Sequence, residues 1–75
     1  MIRTKVATNY EIIDPAFRNF FMQCQTIALQ NNWHHNTVMN YQLKPHGRLV
    51  RTMTQGWYIR WDNIKYHNLF LLKYA

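Results

Sequence analysis

Arg48, Arg51 and Arg60, with Lys44 and Lys65 on either side and Tyr58 among them, are the side chains of this chain best suited to chemistry. Guanidinium and ammonium groups neutralise phosphates, and an exposed aromatic ring stacks on an unpaired base. The same arginines can also meet carboxylates in bidentate pairs, so an acidic protein surface is an equally natural target for the charge. His46 lies in the same stretch. The six candidate binding residues are therefore Lys44, Arg48, Arg51, Tyr58, Arg60 and Lys65. The partner they imply is nucleic acid, DNA or RNA, or else an acidic protein surface.

The charge is unevenly distributed. The 75 residues carry a net charge of +6. Arg3, Lys5 and Arg18 against Glu11 and Asp14 leave residues 1–43 at +1, while residues 44–75, with six cations against Asp62 alone, stand at +5. Clustered positive charge attracts phosphate polymers and anionic proteins alike. The plainer reading is a solubilising surface.

Other chemistries find little support. Glu11, Asp14 and Asp62 form no carboxylate pair, and no phosphate-cradling glycine loop or nucleophile motif is present, so an enzyme is not expected. Cys24, His34, His35 and His46 are suitable zinc ligands by type but lack the paired spacings of zinc sites. Cys24 belongs to an apolar helix face, where a buried free thiol is common. No metal or cofactor is expected. A lone cysteine forms no internal disulfide, which fits a reducing compartment. The longest apolar run, Leu69 to Leu72, cannot span a bilayer. The expectation is an intracellular, cytoplasmic, single-domain protein over residues 1–75 that is not held in a membrane.

The elements that must position these residues read as α+β. Asp14-Pro15 is a helix start, an N-cap followed by proline at the first helical position. From there Phe17, Phe20, Phe21, Cys24, Ile27 and Ala28 keep the spacing of one helical face, and Asn31-Asn32 supplies a stop. This predicts an amphipathic helix over residues 15–31. Its other side carries Asn19, Gln23, Gln25, Thr26 and Gln30, with Arg18 as its only charge. That side is either a neutral surface or a protein contact, since interface centres are poor in charge. Asn36 is placed to cap a short second helix over 37–43, and Lys44-Pro45-His46-Gly47 then breaks the chain.

Residues 48–61 read as a β-hairpin, with Gln55-Gly56 as a two-residue turn between strands 48–54 and 57–61. That register puts Arg51 opposite Arg60 and Met53 opposite Tyr58 on one face. Val50, Thr52, Trp57, Ile59 and Trp61 fall on the other face, as core. Like charges directly opposite destabilise a sheet, so a basic pair beside an aromatic points to an anionic partner. Ile64, Tyr66, Phe70, Leu72 and Tyr74 fit one face of a strand, although Asp62 could equally cap a helix there. The aromatic content favours a third strand over 68–74, completing an antiparallel meander. Ile2 to Thr8 alternates weakly with period two and adds a further candidate strand.

The order helix, turn, short helix, hairpin over about residues 15–61 resembles the organisation of winged helix-turn-helix domains. In that family the second helix enters the major groove and the hairpin forms a wing against the backbone. The helix over 37–43 departs from that pattern because it is short and carries no arginine, and no helix is read before Pro15, so membership is not assigned. Small basic chains with few special motifs also occur among bacteriophage accessory proteins. This keeps open a viral protein that modulates or inhibits a host protein from within the host cytoplasm.

Overall fold

A computed structural model describes residues 2–75. Its order is β1 (Ile2–Ala7), α1 (Pro15–Asn31), α2 (His35–Leu43), β2 (Gly47–Arg51), β3 (Trp57–Trp61) and α3 (Ile64–Tyr74). The fold is α+β, with three helices and a small three-stranded antiparallel sheet of order β1-β3-β2.

Local chemistry sets the bounds of α1. The Asp14 side chain accepts a hydrogen bond from the Ala16 N–H at 3.0 Å, with Pro15 in the first turn where no N–H is required. The helix ends where Asn32 adopts φ 56° and its N–H returns to the Ala28 carbonyl, a left-handed cap that asparagine tolerates. Between these ends Ala16, Phe17, Phe20, Cys24 and Ala28 form the buried stripe.

The short second helix begins earlier than expected. His34, and not Asn36, is its cap, with the ring Nδ1 accepting from the Asn36 N–H at 3.3 Å. Val38, Met39 and Leu43 then face the core.

The strand expected over 68–74 is a helix. Asn63 caps it by accepting from the Lys65 N–H at 3.0 Å, and Phe70 and Tyr74 meet the Phe20 ring edge-on at 5.2 and 5.1 Å. Tyr66, Phe70 and Tyr74 are spaced by four, which satisfies both a strand and a helix. Leu72 separates the two readings: it is 82% exposed, whereas a strand face would bury it beside Phe70. The Asn19 amide on α1 donates to the Tyr74 carbonyl at 2.7 Å, tying the end of α3 to the first helix. β1 supplies the third strand instead, pairing with β3.

The hairpin register also differs. β2 stops at Arg51, and residues 52–56 form a five-residue loop in place of the two-residue turn. Thr52 closes this loop: its N–H and its hydroxyl both donate to the Gly56 carbonyl, at 2.9 and 2.7 Å, and its Oγ1 accepts from the Gln55 N–H at 3.0 Å. Arg48 therefore faces Arg60, and Arg51 faces Trp57. The shift is an odd number of residues, so every β2 side chain changes face relative to the expectation. The β3 assignment is unaffected.

All three helices feed one core with the inner face of the sheet, centred on Val6, Phe17, Phe20, Cys24, Met39 and Ile59. No polar or charged residue is buried among the described residues. None of the helices among the described residues is long and apolar enough to cross a membrane.

Candidate functional site

The helices leave the other face of the sheet open. Side chains alternate between faces of a strand, and directly opposed residues share a face. Pairing of Arg3 with Arg60 and of Arg48 with Arg60 puts three arginines in one row across β1, β3 and β2. Pairing of Lys5 and Val50 with Tyr58 makes the next row on the same face. Arg3, Lys5 and Arg48 are exposed, while Tyr58, Arg60 and Val50 are half-buried. At a strand spacing of about 4.8 Å, the arginine row spans about 10 Å of backbone.

The inner face holds this row in register. Trp61 follows Arg60 on β3 and is buried, with its indole Nε1 donating to Thr4 Oγ1 of β1 at 3.1 Å. On the other side Trp61 pairs with Gly47 of β2, where an added Cβ would stand 2.7 Å from the indole ring. Glycine thus leaves room for the ring to lie against the strand, and one indole spans all three strands. Slippage of β1 or β2 past β3 would break the Thr4 bond or the Gly47 contact. A bulge between Lys5 and Ala7 turns both Val6 and Ala7 into the core, ending the alternation that exposes Arg3 and Lys5. The hairpin loop is fastened to the same end of β1. Asn9 donates its amide to the Met53 carbonyl at 2.8 Å, and Gly56, at φ 83°, lies where a Cβ would collide with the Ala7 carbonyl.

Two shallow depressions flank the centre of the open face. Arg3, Lys5, Gln55 and Tyr58 line one of about 380 Å³, with the Arg3 guanidinium 5.2 Å from the Tyr58 ring centroid. Arg48 and Arg60 line the second, of about 210 Å³, together with Pro45, Gly47 and Asp62. Lys44, the C-cap of α2, extends the basic surface beyond Arg48 through a neighbouring hollow of about 450 Å³. Asp62 is the one acid at this end, and its carboxylate lies 3.7 Å from His46 Nδ1. The face carries four cations in two rows and a fifth at its rim. Such a surface can hold a string of anionic groups and offer one aromatic ring between them.

Of the residues expected to bind, the structure brings Arg48, Tyr58 and Arg60 onto one face and puts Lys44 beside them. Arg51 is not with them. It lies on the inner side at the sheet edge, with its guanidinium 5.1 Å from the Trp57 ring centroid. Lys65 is in the first turn of α3, its ammonium 5.2 Å from the Tyr66 ring centroid. Arg3 and Lys5 are the binding candidates that sequence reasoning missed. The signal was the alternation of Ile2 to Val6, which sends both cations outward once β1 is paired.

The possible metal ligands go to other uses. Cys24 is buried, and burial pushes its thiol up from 9.0 to about 11, with the nearby Lys73 charge opposing the shift. His34 caps α2, and His35 Nε2 lies 3.1 Å from the Phe21 carbonyl. His46 stacks flat on Tyr66 at 3.6 Å between ring centroids. No three histidine, cysteine, aspartate or glutamate side chains converge among the described residues. The side of α1 whose only charge is Arg18 presents Met22 and Leu29 to solvent, and Trp33 beyond its end is also exposed.

Compared with known proteins, the chain matches no family model, no curated protein and no solved structure.

Proposed function

We propose that this protein binds nucleic acid through the phosphates, using the open face of its sheet. The observation that carries the reading is the Arg3–Arg60–Arg48 row, flanked by Lys5, Tyr58 and Lys44. Like charges directly opposed on adjacent strands cost a sheet a few tenths of a kcal/mol or more. A phosphate chain reverses the sign of that term and releases condensed counterions on binding. Neutralising four or five phosphates gives a slope of roughly −3 to −4.5 in log K against log salt.

A salt titration of binding to oligonucleotides tests the reading. Affinity should fall along such a slope, and a folded variant with both Arg48→Ala and Arg60→Ala should bind much more weakly with a shallower slope. Binding that ignores salt, or a double variant that binds like the parent, would remove the basis of the proposal.

A second reading has its own observation. Met22 and Leu29, 57% and 77% exposed, stand among uncharged polar residues on α1, which suits contact with a protein. In that case the arginine row would meet carboxylates on the same partner, and the protein would act as a modulator or inhibitor. A stoichiometric protein partner that survives nuclease treatment and is lost on Arg48→Ala substitution would favour this reading over the first.

A further inference from the structure

The geometry points to a single strand, and not a duplex, as the nucleic acid that this face takes, with one unpaired base stacked at Tyr58. The inference rests on the phosphate-binding reading above and narrows it.

The shape of the basic surface argues against groove entry. A major groove about 12 Å wide admits a helix or a two-stranded ribbon. Here the cations are spread over three strands, one more than such a ribbon has, and the backbones alone span about 10 Å. Of the helices, α2 is nine residues long and carries no lysine or arginine, and α3 carries Lys65 and Lys73 at its opposite ends, each beside a ring of its own helix. The exposed residues of α2 include Thr37, Tyr41 and Gln42. The four cations of the open face are thus on a three-stranded sheet and not on a helix.

The arrangement around Tyr58 fits an unpaired base. Tyr58 is on the central strand, in the row beside the arginines, and Arg3 already lies over its ring. A base entering the depression at Arg3, Lys5 and Gln55 extends that stack, since both guanidinium planes and phenol rings accept bases face-on. The Gln55 side chain, at the rim of the same depression, offers an amide to the base edge. Phosphates on either side of the stacked nucleotide then reach the arginine row and Lys5. In a duplex the bases are stacked on one another and no face is free for Tyr58.

The test compares one labelled oligonucleotide as a single strand and in its own duplex, by fluorescence anisotropy, with the parent and with Tyr58→Phe, Tyr58→Leu and Arg48→Ala. The single strand should bind roughly tenfold or more tightly than the duplex, the scale of one base–aromatic stack. Tyr58→Phe should keep that preference. Tyr58→Leu, which retains apolar bulk without a π face, should lose it, weakening the single strand far more than the duplex. Circular dichroism confirms that each variant is folded. Duplex bound as tightly as single strand, with both weakened by Arg48→Ala, overturns the single-strand assignment and leaves the phosphate reading standing. Equal losses of single strand and duplex on Tyr58→Leu overturn the stacking role. Absence of binding to either overturns both readings together.

Discussion

The two faces of this three-stranded sheet are built from alternate residues of the same strands and have opposite compositions. On β3, Ile59 and Trp61 point inward and are 0% and 3% exposed, whereas Tyr58 and Arg60 point outward. Ile59 is opposed by Thr4 and Leu49; Arg60 is opposed by two more arginines. Apolar burial at about 25 cal/mol per Å² makes the inner face the source of stability. The outer face contributes no comparable burial and concentrates like charge, which a fold selected for stability alone would disperse. The proposed function thus separates folding and recognition onto different sides of one sheet, and substitutions on the two sides should have effects of different kind.

The largest effect is expected on the inner side. Ile59→Ala removes a fully buried side chain from the central strand and should cost about 3–4 kcal/mol. For a domain of this size that is a large part of total stability, and the melting temperature should fall by roughly 15 °C or more. Gly56→Ala tests the fastening of the hairpin to β1. A left-handed φ of 83° and a collision with the Ala7 carbonyl should together cost about 2–3 kcal/mol, measured by denaturant unfolding. A loss of only a few tenths in either variant would mean that the hairpin or the core is not arranged as described.

Cys24 sharpens the comparison from the side of charge. Its native thiol titrates near 11, above the unfolded value near 9, so the folded state retains a proton that the unfolded state gives up. The corresponding stability is complete below pH 9 and is lost as pH rises towards 11, by roughly 2 kcal/mol. Cys24→Ala should lack this component, and the difference between its pH profile and the parent's isolates it from lysine and tyrosine titration. The smallest effect has the opposite sign. Arg48→Thr removes one charge from the row and introduces a good strand former. It should leave stability unchanged or raise it by a few tenths of a kcal/mol at low salt.

These contrasts also explain what could be read from the chain beforehand. Helix α1 was legible to its ends because Asp14-Pro15 and Asn32 carry distinct backbone chemistry at both termini. The faces of β3 were legible because Trp57, Ile59 and Trp61 alternate with Tyr58 and Arg60. Helix α3 was not, because a spacing of four at Tyr66, Phe70 and Tyr74 satisfies two periods at once. The hairpin register escaped because the loop is closed by the Thr52 side chain, a local contact that strand alternation does not reveal. That error exchanged Arg48 for Arg51 as the partner of Arg60. Arg3 and Lys5 escaped separately, because the β1–β3 pairing that places them on this face spans more than fifty residues and leaves only a weak alternation in the sequence.

Arg48 and Arg51 are three residues apart on one short strand and point to opposite faces, so they divide the question between them. The decisive measurement is the salt dependence of oligonucleotide binding for Arg48→Gln and Arg51→Gln beside the parent. Arg48→Gln should weaken binding and reduce the steepness of the log K–log salt slope by about 0.7–0.9, the loss of one phosphate contact, while Arg51→Gln leaves both unchanged. Equal effects of the two substitutions, or a larger one for Arg51→Gln, would contradict the assignment of recognition to the open face.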